Sequence, residues 1–559
     1  MRLKKRDAPP PRAYRDADRL LLLTGRRGGA WVVVVAVASF ATSGVALAFP
    51  TVLAHGVDGI VSHGSAGRWL AWSAVLVVLL VAGSALDVLA SGVAVARSTA
   101  WLRQTVLRHV LELGVRPAAR LGAGETATRV VANASEAGRV APSIVGAGSS
   151  LIMGVGGTVA LALIHPLLCL AFLVGIPLLA LIVRAFARDS SALTTHYLTV
   201  QGRIAERLTG AISGARTIAA AATFDREVGR SLAPLPELRR HGMALWHVSM
   251  RMTAQDLLLV AMLEIAVIGV AGVLLARGQI SAGEMLAAAQ YVLLASSLNT
   301  LTGVVARITN ARAAATRLVE ILSQEPVRYG SGALPAGGGR IELRGVTVGS
   351  GSERALDRVD LVVPAGGLVA VVGRSGSGKS LLAALVGRLV DPDEGEVLLD
   401  GVPLREIDRE ELRRAVGYGF ARPALFGATV ADAIAFGVDR PPAERLEEAA
   451  HAARADDFIR LLPEGYATAL EQAPMSGGET QRLGLARTFA HAGRVVVLDD
   501  VAASLDTVTE HHISSVLTGA LGDRTRLIVG HRASTVSQMD AVIWLEAGRV
   551  RAMAPHHEL

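Results

Sequence analysis

Long apolar stretches with few or no charged residues dominate the first half of the chain. They cover roughly 30–53, 69–95, 143–164, 166–183, 257–276 and 280–303. A helix needs about 20 residues to cross a hydrocarbon core about 30 Å thick, so each stretch predicts a membrane-spanning helix. The first stretch is too long for the apolar part of a cleaved secretory signal, and further spans follow it.

The segments after the second and fourth stretches are long but keep a helical pattern. Leu, Ala and Val recur in them at spacings of three and four residues, which indicates helices. We therefore expect these helices to extend well beyond the bilayer. The predicted fold of residues 30–324 is an all-α domain of six transmembrane helices, preceded by a cytoplasmic segment at 1–29.

A different pattern begins near residue 341. Short strand-like runs alternate there with helical patterns, which is typical of an α/β domain. The clearest runs are 368–372, 495–499 and 525–529. The Gly- and Pro-rich stretch 325–340 separates the two patterns and is expected to be a linker. The prediction is a transmembrane domain followed by an α/β domain at 341–559, outside the membrane.

Basic residues indicate which helix ends face the cytoplasm, because Lys and Arg resist translocation. The segment before the first stretch contains nine of them, whereas the loop between the first two stretches contains only Arg68. Seven arginines lie between Arg97 and Arg139, and ten between Arg184 and Arg251. With six crossings, both termini are predicted to lie in the cytoplasm, and the protein is expected in the cytoplasmic membrane.

Composition narrows the class of protein further. Hydrophobic residues make up 51% and charged residues 19% of the 559 positions, which excludes a disordered or collagen-like chain. The lone Cys169 excludes an intrachain disulfide. Arginines beside the membrane account for the net charge of +7, so no nucleic-acid partner is expected. Lys4, Lys5 and Lys379 are the only lysines among 56 basic residues, a codon bias that indicates a bacterium of high GC content.

A glycine-rich loop follows the strand-like run 368–372 and precedes a helical stretch. It consists of Gly373, Arg374, Ser375, Gly376, Ser377, Gly378, Lys379 and Ser380. This is the pattern G-x-x-x-x-G-K-[ST], in which backbone N–H groups and a helix N-terminus bind phosphate oxygens. We expect Lys379 to contact the β- and γ-phosphates and Ser380 to bind Mg²⁺. ATP and Mg²⁺ are therefore the expected cofactors.

Two further elements belong to the same predicted site. The apolar run 495–499 ends in Asp499 and Asp500. We expect Asp499 to hold the metal and Asp500 to orient the attacking water. The turn Ser476-Gly477-Gly478 opens a helix and is a second anion-binding element. Alone this turn is a weak signal, but its position between the other two elements strengthens it.

These elements resemble those of ATP-binding cassette (ABC) transporters, and the whole chain is similar to a half-transporter of the exporter type. The matching motifs are two intracellular loops (124–133 and 222–227), Walker A (Gly373–Ser380), the LSGGQ signature (Met475–Glu479), Walker B (Val495–Asp499), the D-loop (Ser504–Asp506) and the switch histidine (His531). The resemblance implies catalytic roles for Asp500 and His531. It also implies a second half-transporter as partner, with each ATP held between Walker A of one chain and the signature of the other.

Three positions depart from the family pattern. The catalytic glutamate is Asp500, whose carboxylate would lie about 1 Å too far from the water, a displacement that costs around 10²-fold in rate. The Q-loop glutamine is Ala421, and 346–350 offers no aromatic for adenine, whose stacking contributes about 1–3 kcal/mol. Because the signature is intact, we expect a heterodimer in which this chain supplies the weak ATP site. The alternative is a homodimer in which Asp500 serves adequately as base.

Asp87 and Glu264 lie inside apolar stretches, where a carboxylate is costly unless it is paired or hydrated. They indicate either a cavity for a cationic or amphipathic substrate, or a structural role through internal hydrogen bonds to Ser or Thr or through exposure at a helix end. The predicted function is ATP-driven export of a small amphipathic substrate, which is a peptide, lipid or drug. Two alternatives stay open: a regulatory ATP-binding membrane subunit, and a siderophore importer built on the exporter fold.

Cysteine labelling in intact cells tests the predicted topology. We expect Asp58→Cys and His165→Cys to react with a membrane-impermeant maleimide, because both positions lie in predicted outer turns. Arg120→Cys should stay unlabelled, since it lies in a predicted cytoplasmic segment. Labelling at position 120 without labelling at the two outer positions would overturn the arrangement of six spans.

Overall fold

The structure is a computed structural model that describes residues 11–62, 66–115, 123–349, 354–501, 507–530 and 536–559. These residues divide into two compact units. Residues up to 109 and from 124 to 324 form the first unit, and the others form the second.

The first unit is built from helices. Its α-helices are α1 (Pro11–Arg27), α2 (Ala30–Val61), α3 (Ala66–Glu112), α4 (Ala123–Thr128), α5 (Ala134–Gly138), α6 (Val140–Ile164), α7 (Pro166–Leu173), α8 (Ile176–Ser213), α9 (Ala215–Ala220), α10 (Phe224–Leu232), α11 (Leu235–Ala276), α12 (Ala282–Ala295) and α13 (Thr300–Leu322). A π-helical turn at Arg129–Asn133 and a 3₁₀ turn at Ser296–Asn299 continue α4 and α12.

Within the described residues, four helical stretches are long and apolar enough to cross a bilayer. They are Ala30–Val61, Ala66–Glu112, Gly124–Ile164 and Phe224–Ala276. The helix α3 alone has 47 residues, which gives a length of about 70 Å, more than twice the thickness of a hydrocarbon core.

The other two predicted spans fall on interrupted helices. The stretch 166–183 is divided between α7 and α8, and the stretch 280–303 runs from the shorter apolar helix α12 into α13. The number of six spans therefore stays a prediction.

Close packing at small residues joins the helices of the first unit. A Cβ added at Gly157 of α6 would lie 2.8 Å from the backbone nitrogen of Ala295 in α12, so only glycine permits this approach. Such small-residue contacts are typical of helices packed within a membrane. The Tyr291 hydroxyl donates a hydrogen bond to the Leu47 carbonyl at 2.8 Å, which links α12 to α2.

Asp58, near the end of α2, holds the start of α12. Its carboxylate accepts hydrogen bonds from Ser281 Oγ at 2.6 Å and from the Gly283 N–H at 2.7 Å, so it satisfies a donor that a helix N-terminus leaves unpaired. Asp58 therefore has a structural role, because its side chain links α2 to the start of α12. His165, in the turn between α6 and α7, is the labelling position that leaves this contact intact.

The second unit consists of two sheets with helices around them. Its strands are β1 (Ile341–Val348), β2 (Leu356–Val363), β3 (Leu368–Val372), β4 (Glu394–Leu399), β5 (Val402–Pro403), β6 (Val416–Phe420), β7 (Val495–Asp499), β8 (Thr525–Val529), β9 (Ala541–Glu546) and β10 (Arg549–Ala554). Its helices are α14 (Lys379–Val386), α15 (Arg409–Ala415), α16 (Val430–Ile434), α17 (Ala443–Ala452), α18 (Asp456–Leu461), α19 (Gly477–Ala490) and α20 (Thr507–Thr518).

The sheets position the predicted site. A six-stranded sheet has the order β10-β9-β3-β8-β7-β6, parallel except for β10. A four-stranded antiparallel sheet has the order β2-β1-β4-β5. The strand residues Val495–Leu498 are fully buried, as expected for a central parallel strand. Because β8 lies between β3 and β7, the loops that follow β3 and β7 reach the same sheet edge.

The predicted linker is part of the second unit. Arg388 donates a hydrogen bond to the Arg328 carbonyl at 2.6 Å, and Arg413 donates one to the Tyr329 hydroxyl at 3.1 Å. The Gly332 N–H donates to the Glu406 carbonyl at 2.9 Å. Residues 325–340 are thus held at several points rather than forming a free tether.

Candidate nucleotide-binding site

The loop Gly373–Ser380 leads from β3 into α14 and requires glycine at its ends. Gly373 has a φ of 153° and Gly378 a φ of 104°, in the region that favours glycine. A Cβ on Gly373 would lie 2.1 Å from the Leu545 carbonyl oxygen. Backbone geometry therefore explains these two glycines independently of any ligand.

Lys379 folds back over this loop. Its Nζ donates hydrogen bonds to the carbonyls of Gly373 at 2.8 Å and Arg374 at 2.9 Å. The ammonium group is thus held among the backbone atoms that would surround phosphate oxygens. Ser377 is buried, and its Oγ has no hydrogen-bond partner among the described residues. The loop therefore holds donors that a phosphate group would satisfy.

The structure brings the two predicted metal ligands together. Ser380 Oγ donates a hydrogen bond to Asp499 Oδ1 at 2.9 Å. Burial raises the pKa of Asp499, and the Asp500 charge adds to this rise, whereas the Ser380 hydrogen bond and the Lys379 charge oppose it. A hydroxyl and a carboxylate at this distance fit Mg²⁺, which prefers oxygen ligands and keeps room for water and phosphate.

Asp500 directly follows β7 and has a φ of 51°, in the left-handed region that Asp enters more readily than most residues. Its N–H donates a hydrogen bond to the Val529 carbonyl at 3.1 Å, which fixes the backbone after Walker B. His531 and the D-loop residues Ser504–Asp506 lie outside the described residues. The catalytic roles of Asp500 and His531 stay predictions.

The position of the missing glutamine lies at the same sheet edge. Phe420, the last residue of β6, pairs in register with Asp499, so Ala421 follows directly beyond the metal carboxylate. A methyl group there offers Mg²⁺ no ligand.

In β1, Val346, Thr347 and Val348 are buried in the core, and Ser350 lies outside the described residues. The described part of 346–350 thus presents no aromatic for adenine.

The signature turn is held by a helix cap. Ser476 is the N-cap of α19 and forms a capping box with Glu479. Its N–H and its Oγ both donate to Glu479 Oε2 at 2.7 Å, and these bonds lower the pKa of Glu479. Gly477 and Gly478 open the helix after Ser476. Within the described residues, Ser476 makes no hydrogen bond to the Walker loop.

Two residues near the site were missed by sequence reasoning. Tyr418 of β6 is half-buried, and burial together with the Asp499 charge raises the pKa of its hydroxyl. Gln481 of α19 is buried and donates a hydrogen bond to the Val501 carbonyl at 2.5 Å. Gln481 therefore connects the signature helix to the segment after Asp500. The sequence signal for Gln481 was its place as a polar residue two positions after the signature motif.

Comparisons with known proteins agree with this geometry. Residues 356–503 match the ABC transporter family, and residues 32–297 match the ABC transporter transmembrane region. The "ABC transporter ATP-binding protein RamA" of Streptomyces coelicolor is 43% identical over 533 residues, which cover 95% of this chain and 84% of that protein. An "ATP-dependent lipid A-core flippase" of Methylococcus capsulatus is 32% identical over 409 residues, which cover 71% of this chain and 67% of that one.

The fold also has a close counterpart among solved structures. The structure of a bacterial Atm1-family ABC exporter with ATP bound matches with a TM-score of 0.78 at 22% identity, covering 99% of this chain and 96% of that one. The fold is therefore that of ABC exporters. The chain belongs to the ABC transporter family, with a transmembrane domain fused to an ABC ATPase domain. These matches confirm the predicted family and fold class. An ABC ATPase domain binds ATP and couples its hydrolysis to transport.

We expect Lys379→Ala to weaken ATP binding at this chain's own loop, because no other lysine follows residue 5. Hydrogen bonds to charged groups contribute about 1.5–3 kcal/mol, so the loss should be about tenfold or more. Photolabelling of the full chain by an azido-ATP analogue measures it. Arg358→Ala, at an exposed arginine of the same unit, is the matched control. Unchanged labelling of Lys379→Ala would refute the assignment.

Asp499→Asn should raise the melting temperature of the nucleotide-free protein at neutral pH. The pKa of Asp499 is raised above 3.8 by burial, so the ionised carboxylate opposes folding above that pH and the penalty vanishes below it. The gain should therefore shrink as the pH falls toward 3.8. Mg²⁺-ATP should stabilise the wild type and not the variant.

Differential scanning fluorimetry of the full chain in detergent provides this measurement. Asp523→Asn, at a highly exposed carboxylate, is the control and should change neither melting temperature nor response to Mg²⁺-ATP. Equal stabilisation of Asp499→Asn and wild type by Mg²⁺-ATP would count against Asp499 as a metal ligand.

Proposed function

We propose that this chain is a subunit of an ATP-driven exporter that moves a small amphipathic peptide, lipid or drug across the cytoplasmic membrane. In this proposal both termini lie in the cytoplasm, Ser380 and Asp499 hold Mg²⁺, and the partner is a second, different half-transporter. The names of its relatives support export of amphipathic molecules, since one is a lipid A-core flippase.

One observation carries the asymmetric part of the proposal. The residues that hold ATP are assembled, because Lys379 lies within the loop and Ser380 contacts Asp499. The residues that complete hydrolysis are altered at the same edge, where Ala421 follows the register partner of Asp499. This combination suits a site that holds ATP longer than it cleaves it. The intact turn at Ser476 would then complete the partner's competent site.

An exposed apolar surface favours a dimer. We call residues 208–235, from the end of α8 to the start of α11, the hairpin tip. No residue of its helix α9 is buried. Its exposed large apolar side chains are Leu208, Ile212, Phe224, Val228, Leu232 and Leu235. Apolar patches of this kind mark protein interfaces, and a second half-transporter would cover them.

The two carboxylates within the apolar helices differ in their surroundings. Ser39 Oγ donates a hydrogen bond to Asp87 Oδ1 at 2.5 Å, which supports an internal structural role for Asp87. Glu264 is half-buried and has no hydrogen-bond partner among the described residues. An unpartnered carboxylate at membrane depth is costly and indicates function. Glu264 is therefore our candidate for contact with a cationic group of the substrate.

A regulatory ATP-binding subunit is the second candidate function. The alterations at Asp500 and Ala421 favour it, because a subunit that only senses nucleotide needs no rapid hydrolysis. Substrate-stimulated ATPase activity of the assembled pair separates the two functions, since only an exporter couples turnover to its cargo.

In the complex with its partner, Asp500→Asn should leave most ATP turnover intact, whereas Ser476→Arg should abolish it. The first change affects the slow site, and the second blocks the signature turn that grips the γ-phosphate at the competent site. Steady-state ATPase assays of the purified complex measure both effects.

Asp523→Asn and Arg405→Ala, at exposed positions, are controls for charge removal. The asymmetric proposal fails if Asp500→Asn is as damaging as Ser476→Arg. It also fails if the purified chain alone hydrolyses ATP at the rate of the complex, since a homodimer would then suffice.

A further inference from the structure

The first helix, α1, has one buried face. Ala17, Leu20, Leu21 and Thr24 are buried, and Ser98 Oγ of α3 donates a hydrogen bond to the Thr24 carbonyl at 3.0 Å. An ion pair between Asp18 and Arg312 joins α1 to α13. The helix is therefore fixed to the first unit along one side.

The opposite face of α1 is basic and apolar. Arg15, Arg19, Leu22 and Arg26 follow one another at spacings of four, three and four residues, which places them in one stripe. All four are exposed, as is the adjacent Leu23. Within the described residues, the three arginines make no ion pair or hydrogen bond, although an exposed guanidinium on a protein surface commonly finds a carboxylate. We call these five residues the basic face.

The position of α1 relative to the membrane follows from its connection to α2. Only Gly28 and Gly29 separate the two helices, and Gly29 has a φ of 65° that permits the turn. A Cβ on Gly28 would lie 2.5 Å from a Val32 methyl group, so the turn is tight. Since α2 is apolar enough to cross a bilayer from Ala30 onward, the basic face begins where the hydrocarbon core ends.

We propose that the basic face binds the headgroups of anionic phospholipids in the cytoplasmic leaflet. The guanidinium groups complement phosphates, and Leu22 and Leu23 enter the boundary between headgroups and acyl chains, as in amphipathic interfacial helices. The sequence before α1 adds Arg2, Lys4, Lys5 and Arg6, and clusters of basic residues beside a span bind anionic lipid. Because α1 is joined to α13 by the Asp18–Arg312 ion pair, the lipid holds an element that is fixed to the first unit.

Lipid capture tests this proposal without any assay of transport or ATPase activity. The full chain is purified in mixed micelles with equal amounts of phosphatidylglycerol and phosphatidylcholine, and the retained lipids are quantified by mass spectrometry. Each basic residue near an anionic surface contributes about fivefold to binding. The triple variant Arg15→Gln, Arg19→Gln, Arg26→Gln should therefore lose phosphatidylglycerol preference by about a hundredfold.

The matched control removes three exposed arginines of the second unit, in the variant Arg328→Gln, Arg358→Gln, Arg405→Gln. It should retain phosphatidylglycerol as the wild type does. The preference of the wild type should also fall in high salt, where the screening length is only about 3 Å at 1 M. Equal retention by the two triple variants, or retention that salt does not change, would overturn the proposal.

A site-specific probe keeps the test decisive if the triple variant does not fold. Leu22→Cys in a Cys169→Ser background carries a fluorophore, and lipids with a nitroxide on the acyl chain supply the quencher. We expect strong quenching at position 22 in anionic nanodiscs and none for Arg405→Cys in the same background. Absence of quenching at position 22 would show that the basic face does not meet the bilayer.

Discussion

The hydrogen bond between Ser380 and Asp499 is the contact on which the nucleotide site depends. It joins residues 119 positions apart. It forms because β3 and β7 lie on either side of β8, so that the segments after them meet at one sheet edge. A half-buried carboxylate is costly without a partner, and the Ser380 hydroxyl and the Lys379 charge offset part of this cost at Asp499. The raised pKa of Asp499 is the physical sign of this cost. The fold itself therefore maintains an unfavourable charge at this position.

The same constraint governs the carboxylates of the membrane helices. Asp58 receives two hydrogen bonds from the start of α12, and Asp87 receives one from Ser39. These carboxylates hold helices that otherwise pack through small residues such as Gly157. Glu264 differs because no described residue satisfies it. Asp58 and Asp87 therefore link helices of the bundle through hydrogen bonds, and Glu264 does so with none of the described residues.

Two of the three altered positions at the ATP site lie at one sheet edge, because Ala421 and Asp500 follow the neighbouring strands β6 and β7. The third is the stretch 346–350, which lacks an aromatic for adenine, whereas the Walker A motif is complete. The Asp500 N–H donates a hydrogen bond to the Val529 carbonyl, which fixes the backbone at this position. The residues proposed to bind ATP and those proposed to cleave it thus lie at one sheet edge.

Much of the fold and of the candidate site could be predicted from local sequence. Apolar stretches of membrane length, the glycine-rich loop before Lys379 and the switch to strand patterns near residue 341 each depend on neighbouring residues, so they predicted the two domains and the ATP site. Only the tertiary structure decided which distant groups meet, as in the Ser380–Asp499 contact and the hydrogen bonds of Asp58 to the start of α12. It also left Arg15, Arg19 and Arg26 of α1 without an ion pair among the residues that the structure describes. These depend on strand order and helix packing, which join residues far apart in sequence. The local sequence shows that a charged side chain is present, whereas the fold determines which residue pairs with it.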